Sequence, residues 1–335
     1  MIVLSLPLAS CAPEIDPERT LEEGGVYAAW MAGISDATPL AEVSVPGAHD
    51  AATATIRSWP QWTKTQELTV AELWNCGVRA FDIRPAYVNG GMGVYHDKYS
   101  AGVSFPEVLT TLLKALERNP SEFAVMLIRH EVEADDDSPA WSGAMRDILA
   151  AHAGRLAGYH AGITVGELRG KILILSRNRY DGGPFGGYIA GWYSGTDLTR
   201  QQAATLEDGA GEMPPLWVQD YYDPEGSDDK WKAVQAMLDA TAGTAAATGA
   251  AAPGAAPAAP AGPRPLVINH ASGYVGNLPN YRKNANAINS AAAEYIRKNH
   301  RPAGIVMMDF AGAETSRGVS VYGAELVRVL VENNR

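Results

Sequence analysis

The segment EVSVPGAHD, residues 42–50, shows the pattern on which the fold prediction rests. A short apolar run ends at Pro46, and two titratable residues, His49 and Asp50, follow the break. Short apolar runs bounded by turn residues are typical of strands that are buried on both faces. The segment therefore predicts a buried strand that ends in a turn carrying a histidine and a carboxylate.

Seven further segments of the 335-residue chain have the same apolar character. They are VRAFDIRP (78–85), GMGVYH (91–96), FAVMLIRHE (123–131), KILILSRN (171–178), PLWVQDYY (215–222), PLVINHAS (265–272) and GIVMMDFA (304–311). Helical patterns separate several of them: SFPEVLTTLLKALERNP (104–120), ANAINSAAAEYIRKN (285–299) and YGAELVRVLVENN (322–334). Alternating strands and helices are typical of a parallel sheet.

Eight strands in this alternation predict an α/β fold, an irregular (β/α)8 TIM-type barrel that forms a single domain. The irregularity is expected because the connection between residues 85 and 91 is too short for a helix. Without its N-terminal tail and one insertion, the chain is close to the roughly 250 residues that are usual for this barrel.

The composition argues against some classes of protein. The formal net charge is −11 and the sequence pI is near 5.1. Nucleic acid is therefore not expected as a partner, since a nucleic-acid-binding protein usually presents a basic face. No apolar run reaches the roughly 18 to 20 residues that span a bilayer.

Residues 1–30 are predicted to be a signal- or lipoprotein-like tail and linker, and residues 31–335 the barrel domain. The tail begins MIVLSLPLASC, an apolar run with small residues before Cys11, which resembles a bacterial lipoprotein signal without its basic start. It predicts a secreted protein, or one anchored through Cys11 to the outside of a bacterial cell. Residues 241–265 are almost entirely Ala, Gly, Pro and Thr, which predicts a flexible insertion.

Polar residues cluster at the carboxyl ends of the predicted strands. In a parallel barrel these ends meet at one face, where the catalytic groups of this fold lie. A single such residue is typical of a solvated loop, but the whole set predicts a site. The set is His49, Asp50, Asp82, Arg84, His96, Asp97, Arg129, His130, Glu131, Arg177, Asp220, Tyr222, Asn269, His270 and Asp309.

The residue types at this face suit the cleavage of a phosphodiester. His49 and His96 are candidates for general base and general acid, because histidine titrates near pH ~6.5. Arg84 is suited to bidentate contact with a phosphate. The chain has no GxSxG motif and no candidate Cys nucleophile, and its acidic residues do not form a metal cage in the sequence.

The ordered motifs SVPGAHD, FDIRP, VYH, KILILSR, WVQDYY and MMDF resemble bacterial phosphatidylinositol-specific phospholipase C over roughly residues 30–330. The resemblance implies an irregular barrel enzyme, a phosphorus–oxygen lyase that acts at membrane surfaces. In this family the inositol 2-hydroxyl attacks the phosphate, which gives diacylglycerol and a 1,2-cyclic inositol phosphate. The implied enzyme needs no metal and no other cofactor. Its expected substrates are phosphatidylinositol or glycosyl-phosphatidylinositol in membranes, and it is expected to be a monomer.

The resemblance also implies roles for the residues that match the family motifs. His49 resembles the general base, with Asp309 as its carboxylate partner. His96 resembles the general acid, assisted by Asp50. Arg84 resembles the phosphate-stabilising arginine. The carboxylate beside it is Asp82.

Further matches concern the substrate pocket and the membrane. Arg177, Asp220 and Tyr222 match positions that line the inositol pocket in the family. Either Arg129 or His130 takes the place of a family lysine that contacts inositol, and Trp62 resembles a tryptophan at the membrane interface. The chain departs from the family pattern at Ala48, in place of a hydroxyl residue, and at Asp97-Lys98, where a glycine commonly follows the second histidine.

Two alternative functions stay open from the sequence. A metal-dependent glycerophosphodiester phosphodiesterase is also a barrel enzyme with paired histidines, although its HRG motif is missing here. A non-catalytic inositol-lipid-binding protein on the same barrel is the other alternative, although it would need no acid–base pair.

The segment NRYDGGPFGGYIAGWYSG (178–195) is predicted to be either a mobile rim that touches lipid or substrate, or a plain solvent loop.

Overall fold

A computed structural model describes residues 17–56, 61–192, 202–208, 210–241, 264–275 and 280–335. The strands are β1 (Val45–Ala48), β2 (Ala80–Ile83), β3 (Pro85–Val88), β4 (Gly91–His96), β5 (Tyr99–Ser104), β6 (Ala124–Ile128), β7 (Leu156–Ala157), β8 (Ile172–Ser176), β9 (Gly187–Ala190), β10 (Gln202–Glu207), β11 (Pro215–Gln219), β12 (Leu266–His270), β13 (Ile305–Met308), β14 (Thr315–Ser316) and β15 (Val319–Ser320). The α-helices are α1 (Pro17–Glu23), α2 (Val70–Cys76), α3 (Phe105–Arg118), α4 (Pro139–Ala150), α5 (Val165–Leu168), α6 (Ser227–Thr241), α7 (Tyr281–Asn299) and α8 (Gly323–Glu332).

Nine strands close into a barrel. Their order around the ring is β6, β2, β1, β13, β12, β11, β10, β9 and β8, and β8 pairs with β6 to complete it. All neighbours in the ring are parallel except at β10, which runs antiparallel to both β9 and β11. The predicted irregular TIM-type barrel is thus confirmed, and its irregularity includes one reversed strand.

Seven of the eight predicted strand segments lie in this ring, and the prediction for GMGVYH was wrong. That segment forms β4, which pairs with β3 and β5 in a separate antiparallel sheet. The physical reason is the two-residue turn at Asn89 and Gly90, both with positive φ, which reverses the chain into a hairpin. The strands β9 and β10 complete the ring instead. Since β9 lies within 178–195, that segment is not simply a loop.

Side chains alternate along each barrel strand between the interior and the helix layer outside. The interior is filled by apolar residues two apart, for example Val125 and Leu127 on β6. Their neighbours Met126 and Ile128 belong instead to the core beneath the surrounding helices. This period of two follows from the pleat of a strand. It fixes which residue beyond each strand end points into the barrel mouth.

Several helices of the outer layer begin at residues with a clear capping signal. In each, a threonine or serine side chain accepts from the backbone N–H three residues on, and the glutamate there reaches back. The pairs are Thr69 with Glu72, Ser104 with Glu107 and Thr164 with Glu167. The sequence therefore sets where α2, α3 and α5 begin.

Residues 17–30 pack on the barrel domain, so the folded region begins earlier than the predicted boundary at residue 31. Leu21 of α1 is buried in the core beneath the helices. The carbonyls of Tyr27 and Ala28 accept hydrogen bonds from the buried guanidinium of Arg79.

The predicted lipidation site Cys11 and residues 242–263 of the predicted insertion lie outside the described residues. Within the described ranges, no helix combines the length and the apolar character needed to cross a bilayer.

Candidate active site

The alternation of side chains gathers polar residues at the carboxyl ends of the barrel strands. Each residue of the set continues the inward positions of its strand by one step past the last apolar residue. They are His49 after β1, Asp82 on β2 with Arg84 beyond it, Arg129 after β6, Arg177 after β8, Asp220 after β11, His270 at the end of β12 and Asp309 after β13. These side chains form one mouth, which we call the candidate site.

His49 is held from both ends of its ring. Nδ1 lies 2.9 Å from Oδ1 of Asp309, and Nε2 lies 3.0 Å from a guanidinium nitrogen of Arg84. A guanidinium only donates, so the second contact requires an unprotonated Nε2, and Nδ1 then donates to Asp309. This is the tautomer that a general base needs.

The charges around His49 act on its proton affinity in opposite directions. Burial lowers the pKa of His49, but the carboxylates of Asp50 and Asp309 outweigh it and raise the pKa from 6.5 to about 9. The contact with Arg84 favours the neutral ring, because a protonated Nε2 and a guanidinium repel each other. The close approach of Arg84 therefore belongs to the neutral ring, and protonation of His49 has to lengthen it.

Arg84 lies among three carboxylates. Its Nε is 2.6 Å from Oδ1 of Asp50, one terminal nitrogen is 3.2 Å from Oδ2 of Asp82, and the other is 3.4 Å from Oε2 of Glu131. Burial lowers the pKa of Arg84, but these carboxylates outweigh it and raise the pKa well above its usual value. Burial likewise raises the pKa of Asp82, and Arg84 more than reverses this. Arg84 thus carries a fixed positive charge.

Asp50 lies between the two predicted catalytic histidines. Its Oδ2 is 3.5 Å from Nε2 of His49 and 3.6 Å from Nε2 of His96. The side chain is buried, and the backbone has a left-handed φ of +44°, which aspartate tolerates better than most residues. This turn conformation carries Asp50 out of the strand alternation and towards both rings.

His96 reaches the candidate site from the separate sheet, at the end of β4. Its Nδ1 lies 2.9 Å from the carbonyl oxygen of Thr63, which can only accept, so Nδ1 carries a proton. The next residue, Asp97, has a φ of +54°, the conformation for which a glycine is commonly used, and its N–H donates to Glu131. The departure at Asp97 therefore leaves His96 in place.

Trp62, predicted at the membrane interface, packs beside His96. The two ring centroids are 6.1 Å apart in an edge-to-face arrangement, and Trp62 meets Tyr99 in the same way at 5.7 Å. Trp62 is half-buried. Trp62 therefore packs against the predicted general acid.

A second wall of the candidate site is built around Trp192. Its Nε1 donates to Oδ2 of Asp220 at 3.0 Å, and the guanidinium of Arg177 lies 4.3 Å from the centre of its ring. Burial lowers the pKa of Arg177 to about 10. The third predicted pocket residue, Tyr222, is 41% exposed and packs against Tyr274 at 6.1 Å.

The choice between Arg129 and His130 is decided by the strand alternation. Arg129 has the inward position and lowers the pKa of Arg177 by its charge, so the two guanidinium groups lie near each other. His130 lies on the outer side. Its Nε2 is 2.8 Å from Asp136 and its ring packs against Trp141. Of the two predicted alternatives, the structure therefore places Arg129 rather than His130 on the inner side of the strand.

Asn269 also points away from the mouth, since its amide donates to the carbonyl of Val234 on α6. Its neighbour His270 points inward, and its ring meets those of His49 and Trp192. Glu131, Trp192 and His270 had no role predicted from the sequence. The alternation along β12 was a signal for His270, whereas the contacts of Glu131 and Trp192 depend on the folded chain.

Gln66 is another residue that sequence reasoning missed. Its side chain is fully buried, and its amide nitrogen donates to the carbonyls of His49, at 2.7 Å, and Met308, at 3.0 Å. Its amide oxygen accepts from the N–H of Ala311 at 2.9 Å. Gln66 therefore ties the turn of His49 to the turn that carries Asp309.

One group of side chains has the spacing of a metal site. The ligand atoms of His49, Asp50 and Asp82 lie within 4.8 Å of one another. The guanidinium of Arg84 contacts all three residues. A divalent cation among these ligands would lie against that fixed positive charge, which makes the group a poor fit for a metal.

The fold and the candidate site define a class: an irregular TIM-type barrel with two histidines and a guanidinium at its mouth. No protein-family model matches the chain. Among curated proteins, the 1-phosphatidylinositol phosphodiesterase of Listeria monocytogenes is 28% identical over 158 residues, 44% of this chain and 48% of that protein. The protein of that name from Staphylococcus aureus strain Newman is 27% identical over 221 residues, 62% of this chain and 68% of that protein.

Solved structures agree in fold. The phosphatidylinositol-specific phospholipase C from Listeria monocytogenes superposes with a TM-score of 0.67 at 20% identity, over 92% of this chain and 99% of that chain. A variant of the Staphylococcus aureus enzyme gives 0.70 at 23% identity, over 92% and 99%. The chain is therefore similar in sequence to curated 1-phosphatidylinositol phosphodiesterases, and it shares its fold with solved phosphatidylinositol-specific phospholipases C. It spans about half the length of the first curated relative.

Proposed function

We propose that the chain is a phosphatidylinositol-specific phospholipase C, a phosphorus–oxygen lyase that acts without a metal. One observation carries the proposal. Nε2 of His49 and Nε2 of His96 both lie about equally far from Oδ2 of Asp50, at 3.5 and 3.6 Å, beside the guanidinium of Arg84. Two imidazoles next to one fixed cation suit in-line displacement at phosphorus.

In the proposed reaction, the inositol 2-hydroxyl attacks the phosphorus and His49 Nε2 takes its proton. A bond forms between the 2-oxygen and phosphorus, and the bond from phosphorus to the glycerol oxygen breaks. Asp309 stabilises the imidazolium that His49 becomes. The products are a 1,2-cyclic inositol phosphate and diacylglycerol.

His96 is proposed to protonate the glycerol oxygen. Because its Nδ1 donates to the carbonyl of Thr63, the ring can give up a proton from Nε2 only as an imidazolium. Oδ2 of Asp50 lies 3.6 Å from that nitrogen. Arg84 is proposed to donate to the non-bridging phosphate oxygens, with Asp82 and Glu131 holding its fork.

The test is product analysis with phosphatidylinositol vesicles and excess chelator. We expect cyclic inositol phosphate and diacylglycerol at the same rate with and without chelator, and no stimulation by calcium. Loss of activity on chelation would instead support the metal-dependent glycerophosphodiester phosphodiesterase. Lipid binding without turnover would support the non-catalytic interpretation.

Replacing either histidine provides the second arm of this test. His49→Ala and His96→Ala should each lower the rate by ~10² to 10⁴, the usual effect of removing a positioned base or acid. A control is His160→Ala, since His160 is exposed and its ring pairs with Glu167 and a nearby carbonyl oxygen away from the candidate site. Unchanged activity in either site variant would contradict its assigned role.

Two finer points are also proposed. Phosphatidylinositol and glycosyl-phosphatidylinositol share the inositol phosphate that this site would hold, so both are proposed substrates, to be compared in one vesicle assay.

The apolar segment before Cys11 supports export of the chain from a bacterial cell. Mass spectrometry of the mature N-terminus, with Cys11→Ala as control, distinguishes lipidation from simple cleavage.

A further inference from the structure

His270 is a buried imidazole that the proposed mechanism does not use. It is only 3% exposed and its Nδ1 lies 3.0 Å from the hydroxyl oxygen of Ser272. Its Nε2 has no hydrogen-bond partner among the residues that the structure describes. Burying a polar nitrogen without a hydrogen-bond partner costs free energy. A ligand group that hydrogen-bonds to this nitrogen would offset that cost, which favours binding.

The ring lies between the proposed base and the second wall of the site. Its centroid is 5.9 Å from that of His49 and 5.6 Å from that of Trp192, both edge-to-face. Trp192 in turn donates to Asp220 and packs under the guanidinium of Arg177. His270 therefore lies between the proposed reacting centre and the proposed headgroup pocket.

The charge state of the ring limits what it can bind. Burial lowers the pKa of His270 to about 4, so the ring is neutral at neutral pH. The groups around it are Asp220, 3.8 Å from Nδ1, the hydroxyl of Ser272, the ring of His49, and the charges of Asp82 and Lys230. In the neutral ring Nε2 is either an acceptor or an N–H donor, depending on the tautomer. A hydroxyl group can hydrogen-bond to it in either case, because it can both donate and accept.

We propose that Nε2 of His270 hydrogen-bonds the 3-hydroxyl of the inositol headgroup and makes the chain selective for it. The 3-hydroxyl is the nearest ring neighbour of the attacking 2-hydroxyl, because position 1 carries the phosphate. His49 takes the proton of the 2-hydroxyl, and His270 is the adjacent imidazole on the side of Asp220. The inference rests on the proposed function and names His270 as a substrate-contacting residue that determines specificity.

Three substitutions separate hydrogen bonding from packing. His270→Gln sets an amide nitrogen near the position of Nε2, and His270→Asn sets one near Nδ1. His270→Phe keeps the ring against His49 and Trp192 but has no nitrogen. Each variant is assayed on a soluble inositol phosphodiester and on its 3-deoxy analogue.

The wild-type chain should cleave the 3-deoxy analogue at least about tenfold more slowly than the parent, the effect of one hydrogen bond of ordinary strength. His270→Gln should keep this discrimination. His270→Asn and His270→Phe should lose about tenfold on the parent substrate and nothing further on the analogue. Thermal unfolding identifies any variant that does not fold, and the remaining ones still decide the question.

Two results would overturn the proposal. If His270→Phe kept wild-type activity and discrimination, the ring would serve packing alone. If all variants lost kcat equally on both substrates, His270 would act through the position of His49. A wild-type chain that cleaves neither substrate would refute the proposed function instead. Calorimetric binding of inositol 1-phosphate and its 3-deoxy analogue would then still test His270.

Discussion

Asp309 engages both carboxylate oxygens in hydrogen bonds, one with the ring of His49 and one with the backbone of Gly273. Oδ1 accepts from Nδ1 of His49 at 2.9 Å, and Oδ2 accepts from the N–H of Gly273 at 3.0 Å. Asp309 is fully buried. Because both oxygens are engaged, the carboxylate cannot turn without losing a buried hydrogen bond, and Nε2 of His49 stays directed at Arg84.

The substitution Asp309→Asn should break one of these two hydrogen bonds while keeping the volume of the side chain. An amide has one acceptor, so either Nδ1 of His49 or the N–H of Gly273 faces an NH2 group. We expect kcat to fall by ~10² to 10⁴, as when the carboxylate of a catalytic triad is replaced. The exposed Asp228→Asn is the matched control. A variant within tenfold of wild type, with an unchanged melting temperature, would contradict the orienting role.

Gly273 provides an independent route to the same hydrogen bond. Its φ is +145°, and an added Cβ would lie 2.8 Å from the carbonyl oxygen of Tyr222. Gly273→Ala should therefore displace the N–H from Asp309 and lower kcat by ~10-fold or more, the effect of one lost hydrogen bond to a charged group. The control is Gly226→Ala, where an added Cβ meets no atom within 4 Å. Equal activities of the two variants would disprove the prediction.

The period-two pattern of the strands carried most of what could be predicted. It placed His49, Arg84, Asp220 and Asp309 at one mouth, since each follows an apolar run by a fixed step. The same rule, applied strictly, would have set His130 outside the barrel. His130 was predicted as a pocket residue because a titratable side chain at a strand end suits a site.

Other features depend on contacts that the strand pattern does not contain. The signal for the β3–β4 hairpin was present in Asn89-Gly90, but an apolar run next to it suggested a barrel strand. Glu131 contacts Arg84 across 47 positions of sequence, and Trp192 contacts Asp220 across 28. No spacing in the sequence indicates which of several nearby acidic or aromatic residues makes such a contact.

The proton affinity of His49 should depend on Asp50. Asp50 is the largest of the influences that raise the pKa of His49 to about 9, so Asp50→Asn should lower that pKa. Titration of the ring by NMR in both proteins measures the difference directly. The acidic limb of the pH–rate profile, where activity rises as the general base loses its proton, should move to lower pH by the same amount. A pKa that does not fall in Asp50→Asn would show that Asp309 alone sets it.

The raised pKa also has a consequence for stability. The ring binds a proton more tightly when folded than when unfolded, with pKa values of about 9 and 6.5. The extra stability is therefore complete below pH 6.5 and is lost as the pH rises through about 9. Denaturant titrations across this range should show the decline in the wild type, and His49→Ala should lack it.

Arg84 should not tolerate lysine. Its Nε and its two terminal nitrogens each face a different carboxylate, of Asp50, Asp82 and Glu131, and one terminal nitrogen also meets His49. A single ammonium group cannot reproduce this fork. We expect Arg84→Lys to lower kcat by ~10² to 10³, the usual effect of losing a transition-state donor. The control is the exposed Arg179→Lys, and near wild-type rates for both would contradict the bidentate role.

Trp62 is predicted to contact the membrane and to support His96, and matched substitutions should separate these two predicted roles. Its ring packs on His96 and Tyr99, so Trp62→Ala should slow cleavage of a soluble inositol phosphodiester as well as of vesicles. Trp62→Phe keeps a ring against His96 but removes the indole, whose apolar body and N–H suit a membrane interface. This variant should cleave the soluble substrate within about threefold of wild type, because an edge-to-face pair contributes little beyond its buried area.

Vesicle sedimentation then tests the predicted membrane contact of Trp62. Binding of Trp62→Phe to phosphatidylinositol vesicles should be weaker than that of the wild type, while the chain remains folded by circular dichroism. If Trp62→Phe bound vesicles normally and Trp62→Ala lost activity equally on both substrates, Trp62 would serve only to hold His96, and the membrane-contact role would be wrong.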